Sequence, residues 1–377
     1  MELTPQQPQV LILDSFTALR NLPWPQSVDQ GATDIFFTCD WFENLASTGF
    51  DADARLHLLV VEMNGSPCAC LPMADNVRSE NTAPTTLTSL SNFYSCLFGP
   101  IGSCGSKASE TWNLACRKLK AAKPQWPVIN LRPLDTDSHF FSAMKTGLKN
   151  AGYWTDSYFC FGNWYLDVAG RTFEQYLKSL SSKLRSNISR ARKKLDASGP
   201  WDIVIHVAPG AELDEAVASF ERVYALSWKQ AEPYPKFIQG LCRTAAANGS
   251  LRLGVLRYNG EAIAAQLWLV IGGRALIYKI AYDHAQAALS GGAVLTAEMI
   301  RHAIDIDKVQ EVDYLSGDDA YKRHWMSHRR ERFGIVAFNP GTITGFLAAS
   351  RHFLGRLVRR VITTLRQRFP RKNNAPE

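Results

Sequence analysis

No stretch of this sequence approaches the ~18 uninterrupted apolar residues that a membrane-spanning helix requires. None of its eight cysteines forms a Cys-x-x-Cys pair, and seven lie before residue 161. Reduced core thiols are therefore expected, not a disulfide framework or a zinc site; Cys68 and Cys70, two apart, suit one face of a strand. There is no Gly-x-Ser-x-Gly elbow for a serine nucleophile. His324 and His328 are four apart but lack the glutamate of a zinc protease helix, and no metal is called for. Gly99 to Lys107 approaches a phosphate loop, but one residue too many separates Gly99 from Gly105, and Ser106 precedes Lys107 instead of following it. The first nine residues are polar and rich in Pro and Gln, with no basic-then-apolar signal pattern, so a cytoplasmic protein is expected.

What is present is an ordinary globular composition: 377 residues, 46% hydrophobic and 20% charged, enough for two domains that each bury a core. The net charge of +7 is unevenly placed. From Gly345 to the end there are eight Arg or Lys and one Glu, and residues 175–195 hold seven more basic groups and no acid. The remainder is net acidic. Two basic segments on such a body point to anionic partners, not to a nucleic-acid coat.

The hydrophobic period predicts strands at 10–13, 56–61, 68–73, 87–97, 128–131 and 158–166, with helices at 38–47, 107–122 and 138–150. One long helix is expected through 177–195, where Leu177, Leu180, Leu184, Ile188, Ala191 and Leu195 recur at three and four residues. Thr172 and Gln175 fit a capping box, and Gly199-Pro200 ends the run. Strands at 203–207, 251–257, 263–271, 275–282, 312–315 and 333–338 follow, with helices at 213–228, 236–247 and 293–306 and a short one near Tyr321. Aligning Leu56 with Leu251 gives six identities in fourteen positions, among them Asn64-Gly65 with Asn259-Gly260, which have hairpin-turn chemistry. That echo suggests a duplicated α+β unit.

The most informative segment is strand, loop and helix from 275 to 306. Ser290-Gly291-Gly292-Ala293 opens the helix, where free N–H groups and absent side chains favour a diphosphate; the same glycines also suit a tight turn. Gly260-Glu-Ala-Ile-Ala264-Ala265, Ala281-Tyr282-Asp283, Ser290-Gly291-Gly292-Ala293-Val294-Leu295, Asp313-Tyr-Leu-Ser-Gly317, Tyr321-Lys322 and Trp325 occur in that order. This succession resembles the GNAT-type acetyltransferases of the CelD/BcsL group, relatives of the FemAB peptidyltransferases, over about residues 165–340. The basic run from Lys183 to Lys194 resembles the opening of that domain. Where the family loop usually reads Ser-Pro-Gly, this chain has Ser-Gly-Gly.

The resemblance implies an acyl-CoA co-substrate, acetyl-CoA or a longer homologue. Ile280, Ala281 and Tyr282 would line its pantetheine on a strand that splays from its neighbour, and Ser290, Gly291, Gly292, Ala293 and Leu295 would hold the phosphate end. Acyl transfer needs a base, an oxyanion donor and a proton for the leaving thiolate. Asp283 and Asp313 are the base candidates, Tyr282 or Tyr321 the acid, an N–H near Ala281 the oxyanion donor, and Lys322 a ligand for acceptor or phosphate. Strand-end Asp residues also cap turns, and Tyr-Lys is common on surface helices. Arg185 and Arg190 on the basic helix, with Trp228 and Tyr234, are candidates for binding the acceptor; a solvated helix face and core packing are the alternatives.

The expected fold is thus α+β, with two tandem GNAT-like (acyl-CoA N-acyltransferase) domains of mixed twisted sheets flanked by helices. A degenerate N-terminal domain would span 1–165, an acyltransferase domain 166–341, and a basic amphipathic tail 342–377. The implied reaction is direct acyl transfer to an amine or hydroxyl of a saccharide or cell-envelope precursor, as in exopolysaccharide and cellulose biosynthesis. Two alternatives stay open: transfer from aminoacyl-tRNA, the one role for nucleic acid, and a non-enzymatic scaffold of polysaccharide synthesis. Residues 346–369 place Leu347, Leu354, Leu357, Val358, Val361, Ile362 and Leu365 in one arc, with Arg356, Arg359, Arg360 and Arg366 mostly opposite. That pattern fits an acidic lipid surface at the inner face of the membrane, or packing on the protein body.

Overall fold

The computed structural model describes residues 8–25, 29, 31–75 and 86–368, the side chains of 359–368 excepted. The first half runs β1 (Gln9–Leu13), α1 (Phe16–Arg20), α2 (Cys39–Thr48), β2 (Arg55–Met63), β3 (Ser66–Asp75), β4 (Thr86–Ser89), β5 (Ile101–Gly102), α3 (Ala108–Ala121), β6 (Val128–Asp135), α4 (His139–Asn150) and β7 (Trp154–Asp167). The second runs α5 (Phe173–Ser179), α6 (Ser182–Ser198), β8 (Trp201–His206), α7 (Ala211–Ala225), α8 (Pro235–Ala247), β9 (Leu251–Tyr258), β10 (Glu261–Ile271), β11 (Arg274–Tyr282), α9 (Gly291–Arg301), β12 (Glu311–Ser316) and β13 (His328–Phe338). Helix α10 (Ile343–Arg368) follows.

The strands join in one sheet, ordered β1-β2-β3-β4-β6-β13-β7-β12-β11-β10-β9-β8, with β5 paired to β3. Read from either end the order is the same: a lone strand, a hairpin, a further antiparallel strand, a parallel neighbour. The last strand of each half has crossed over, so β13 pairs with β6 and β7 with β12, and the two pair with each other. Two separate sheets were expected; the exchange fuses them. The echoed hairpins occupy equivalent places, and each Asn-Gly turn has both residues at positive φ (Asn64 51°, Gly65 78°; Asn259 51°, Gly260 83°). This mirror-image turn matches the twist of the strands it joins, which is why both copies keep the same two residues.

One apolar core crosses the junction, from Trp41 and Phe42 of α2 to Phe237 and Leu241 of α8. A second core lies under α9 on the other face of the second half. All eight cysteines are free.

Two expectations differ. Residues 87–97 do not form one strand: β4 stops at Ser89, and Tyr94, Cys96, Leu97 and Phe98 turn inward as a buried loop. The long basic helix is broken. Leu180 is extended and Ser181 restarts the helix as its cap, accepting from the Leu184 N–H at 3.2 Å. Leu180 enters the same core as Leu195, so the apolar period runs through the break unaltered. The capping box of Thr172 and Gln175 is formed.

Candidate functional site

Strand β11 runs parallel to β12 for only three residue pairs, Arg274–Glu311, Ala275–Val312 and Leu276–Asp313. Beyond them the strands part. Tyr278 is an extra residue against β10, where the register slips between Lys279–Leu267 and Ile277–Trp268. Such a bulge bends and twists its strand, here away from β12. On the side facing β10 the ladder continues, and the Asp283 N–H reaches the Ile263 carbonyl at 2.8 Å. Antiparallel pairing alternates inward and outward main-chain groups. Ala281 therefore shares the inward register of Asp283, while Ile280 and Tyr282 present their N–H and C=O to the gap. Of the main-chain groups near Ala281, those facing the gap thus belong to Ile280 and Tyr282.

Opposite this edge, helix α9 begins. Ser290 sits in the left-handed region (φ 52°), and its carbonyl accepts from Ala293 at 3.1 Å and Val294 at 3.5 Å. Among the described residues, no acceptor faces the N–H groups of Gly291 and Gly292. A Cβ on Gly291 would lie 3.3 Å from Ile263, and one on Gly292 3.3 Å from the Tyr282 ring. The glycines thus let the helix start close against the sheet and leave two amides bare, an anion site by geometry and dipole. Gln266 on β10 fixes this position: its buried amide donates to the Gly292 carbonyl (3.3 Å) and the Thr296 hydroxyl (2.7 Å).

The gap opens into two clefts. One, of about 390 Å³, is lined by Ile280, Ala281, Tyr282, Ser290, Gly292, Ala293, Thr296 and Trp325. The other, of about 350 Å³, lies toward the first half and is lined by Phe93, Tyr94, Lys229, Lys279, Asp319 and Lys322. Trp228, Ile280, Tyr314 and Tyr321 border both.

The structure gathers Ile280, Ala281, Tyr282, Ser290, Gly292, Ala293, Trp228, Tyr321 and Lys322 around these clefts. Gly291 lies beneath them, and Leu295 is fully buried in the second core, away from the opening. Trp228 leans on Tyr282 with ring centroids 4.7 Å apart. Burial pushes the Tyr321 phenol up to about 12, so it stays a proton donor. Lys322 is buried and spends its ammonium on the Ser316 and Gly317 carbonyls and on Asp319 at 3.3 Å. It buttresses the end of β12. Tyr234 stacks on Phe93 and donates to Asp51 (3.0 Å), bridging the two halves.

Four further candidates, the two carboxylates and the two arginines of the basic helix, also lie outside the clefts. Asp283 caps the turn after β11, accepting from the Ala285 N–H at 2.9 Å. Asp313 is buried at the junction of the halves with both oxygens used. One accepts from Asn163 (2.5 Å) and the Leu315 N–H (2.6 Å), the other from Arg274 (3.0 Å) and Arg330. Burial pushes its carboxyl up, but the Arg330 and Arg274 guanidiniums outweigh that and hold it below the usual carboxylate range. A carboxylate so held is a poor base. Arg274 also clamps Asp34 of the first half, so this network ties the halves together. Arg185 is bound to the Lys178 and Leu180 carbonyls, closing the end of α5, and Arg190 is bound to its own helix.

Several site residues escape a sequence reading. Lys229 follows Trp228 in the loop over the clefts, and no acceptor faces its ammonium among the described residues. Burial and the nearby Lys279 charge, against Glu232, bring it down to about 8. Glu232 receives the Lys279 ammonium at 2.5 Å and the Tyr94 hydroxyl at 2.7 Å. Tyr94 belongs to the first half, so no local pattern could place it here. Gln266 and Thr296, a polar pair at otherwise apolar core positions, were the one signal available.

Residues 182–323 match the family model described as acetyltransferase (GNAT) domain. Among solved structures, FemX is similar at 10% identity, covering 88% of this chain and 97% of its own, with a TM-score of 0.59. A conserved protein of unknown function from Bacteroides thetaiotaomicron is similar at 13% identity, covering 88% and 100%, with a TM-score of 0.52. A tandem GNAT protein from the clavulanic acid biosynthesis pathway matches at 10% identity over 87% and 98%, TM-score 0.45. A comparison with curated proteins gives no match. The mirrored strand order and the gap beside α9 are, in sum, those of a GNAT acetyltransferase fold built in tandem.

Proposed function

We propose that this chain transfers an acetyl or longer acyl group from coenzyme A to an amine or hydroxyl of a saccharide or cell-envelope precursor. The observation that carries the reading is the parting of β11 from β12 directly opposite the bare amides of Gly291 and Gly292. Those amides would take the diphosphate, and the outward main-chain groups of Ile280 and Tyr282 would pair with the pantetheine amides. A bound thioester supplies an already activated acyl group, so no covalent intermediate on the protein is needed. Lys229, in its neutral form, would accept the proton lost as the acceptor nitrogen or oxygen bonds to the acyl carbon. Tyr321, bordering both clefts, would give its proton to the sulfur as the carbon–sulfur bond breaks. Trp228, Tyr321 and Phe93 offer ring faces that suit a sugar.

The first half would serve the acceptor. Its own parallel pair, β4 and β6, is also three residues long, but the gap beyond is filled by Leu97 and Phe98, and the Phe98 N–H donates to the Pro133 carbonyl at 2.7 Å. A degenerate domain that contributes Phe93 and Tyr94 to the acceptor cleft accounts for this. The acceptor class rests on the resemblance to the CelD/BcsL group.

Thermal unfolding with coenzyme A, acetyl-CoA and longer acyl-CoAs tests the donor. Ligand at a hundred times its Kd stabilises the fold by about 2.7 kcal/mol, a readily measured rise in Tm. Gly292→Val should abolish that rise, because the branched side chain would crowd Tyr282 and cover the amides. No rise with any of these ligands would overturn the reading.

A further inference from the structure

Helix α10 rests on the body along a stripe of small and polar residues. Ala349 is fully buried against Val128, Val336 and Phe338. Gly345 approaches so closely that a Cβ there would collide with the Asn339 and Pro127 carbonyls. His352 meets Asp156 at 2.7 Å, and Arg356 meets the same carboxylate. Residues 345, 349, 352 and 356 follow helical spacing, so one face is fixed to β7 and β13.

The opposite face is apolar and open. Ile343 is 83% exposed, Leu347 61%, Leu354 62% and Val358 55%, again at helical spacing, with Leu357 and Phe346 beside them. Of this arc, Leu347, Leu354, Leu357 and Val358 therefore do not pack on the body, one of the two expected arrangements. Val361, Ile362 and Leu365 lie outside the residues with described side chains. No helix among the described residues is long and apolar enough to cross a membrane.

We propose that the outward face of α10 seats the protein on an anionic lipid surface, with Leu347, Leu354, Leu357 and Val358 entering the headgroup boundary. Charge selects this occupant. From Gly345 onward the segment carries eight basic residues and one acid, so two copies laid face to face would repel, whereas acidic headgroups neutralise them. Asp156, gripped by His352 and Arg356, sets the helix rotation that keeps the apolar stripe outward.

The test is co-sedimentation of the full chain with phosphatidylcholine vesicles, with and without 30% phosphatidylglycerol. Binding to the anionic vesicles should exceed that to the neutral ones at least tenfold and weaken as salt rises. The double variant Leu354→Ser/Leu357→Ser should lose it at least tenfold with its melting temperature unchanged, since both side chains are exposed. Failure of the wild-type chain to bind anionic vesicles at ~0.1 M salt overturns the proposal. So does a concentration-dependent dimer that the double variant dissolves, which would assign the face to a second copy.

Discussion

Replacing Asp313 by Asn separates a catalytic from a structural role. The substitution keeps the shape and removes one buried charge facing Arg274 and Arg330. Breaking a buried ion pair by removing one partner costs about 3–5 kcal/mol. Arg274 keeps Asp34 and Glu311, and Arg330 keeps Glu311, so the lower end applies, about 3 kcal/mol. For an unfolding entropy of about 2.1 cal/mol/K per residue over 377 residues, the melting temperature should fall by about 4 °C. Because the folded carboxyl is held below its ordinary range, its contribution is present above the unfolded value and lost only as pH falls through the folded one. The loss in the variant should accordingly be constant through neutral pH and shrink in acid. Differential scanning fluorimetry across pH measures this, and release of free CoA, followed at a temperature where the variant is folded, measures turnover. We expect turnover within a few-fold of wild type. A fall of a hundredfold or more with an unchanged Tm would refute the reasoning and return Asp313 to the role of base.

Lys229→Met should remove the alkaline rise in acyl transfer. With the amine near 8, turnover in the wild type should fall about tenfold per pH unit below that value as the lysine protonates. A pH–rate profile unaltered by the substitution would exclude it as the base. Tyr321→Phe should lower kcat by about 10²-fold with the CoA thermal shift intact; a lost shift instead would make it a binding residue. Asp283→Ala should cost about 1 kcal/mol, the worth of a cap, and leave kcat nearly unchanged, checked by urea unfolding and steady-state assay.

Much of the fold was legible along the chain because its signals are local. The Asn-Gly turns, the capping box at Thr172 and the strand–glycine–helix passage at 282–293 each depend on neighbours a few residues apart. Residues 87–97 misled for the same reason. An apolar run reads as a strand wherever it is buried, and here Tyr94, Cys96 and Leu97 are buried in a loop beyond the end of β4. The basic helix misled because its period is indifferent to the break at Leu180.

The sequence by itself determined that a glycine pair would open a helix after a strand, since backbone freedom and helix dipole belong to the residues in order. Only the tertiary structure decided that Asp313 is a poor base. Asp283 and Asp313 look alike as strand-end acids, but Asp283 caps a turn, whereas the Asp313 carboxyl is held by charges brought from elsewhere, Arg330 and Arg274. It likewise decided that the second cleft draws Tyr94 from the first half, and that Leu347, Leu354 and Leu357 of the tail face outward. Contacts between residues distant in sequence set local field and burial, and no local spacing encodes them.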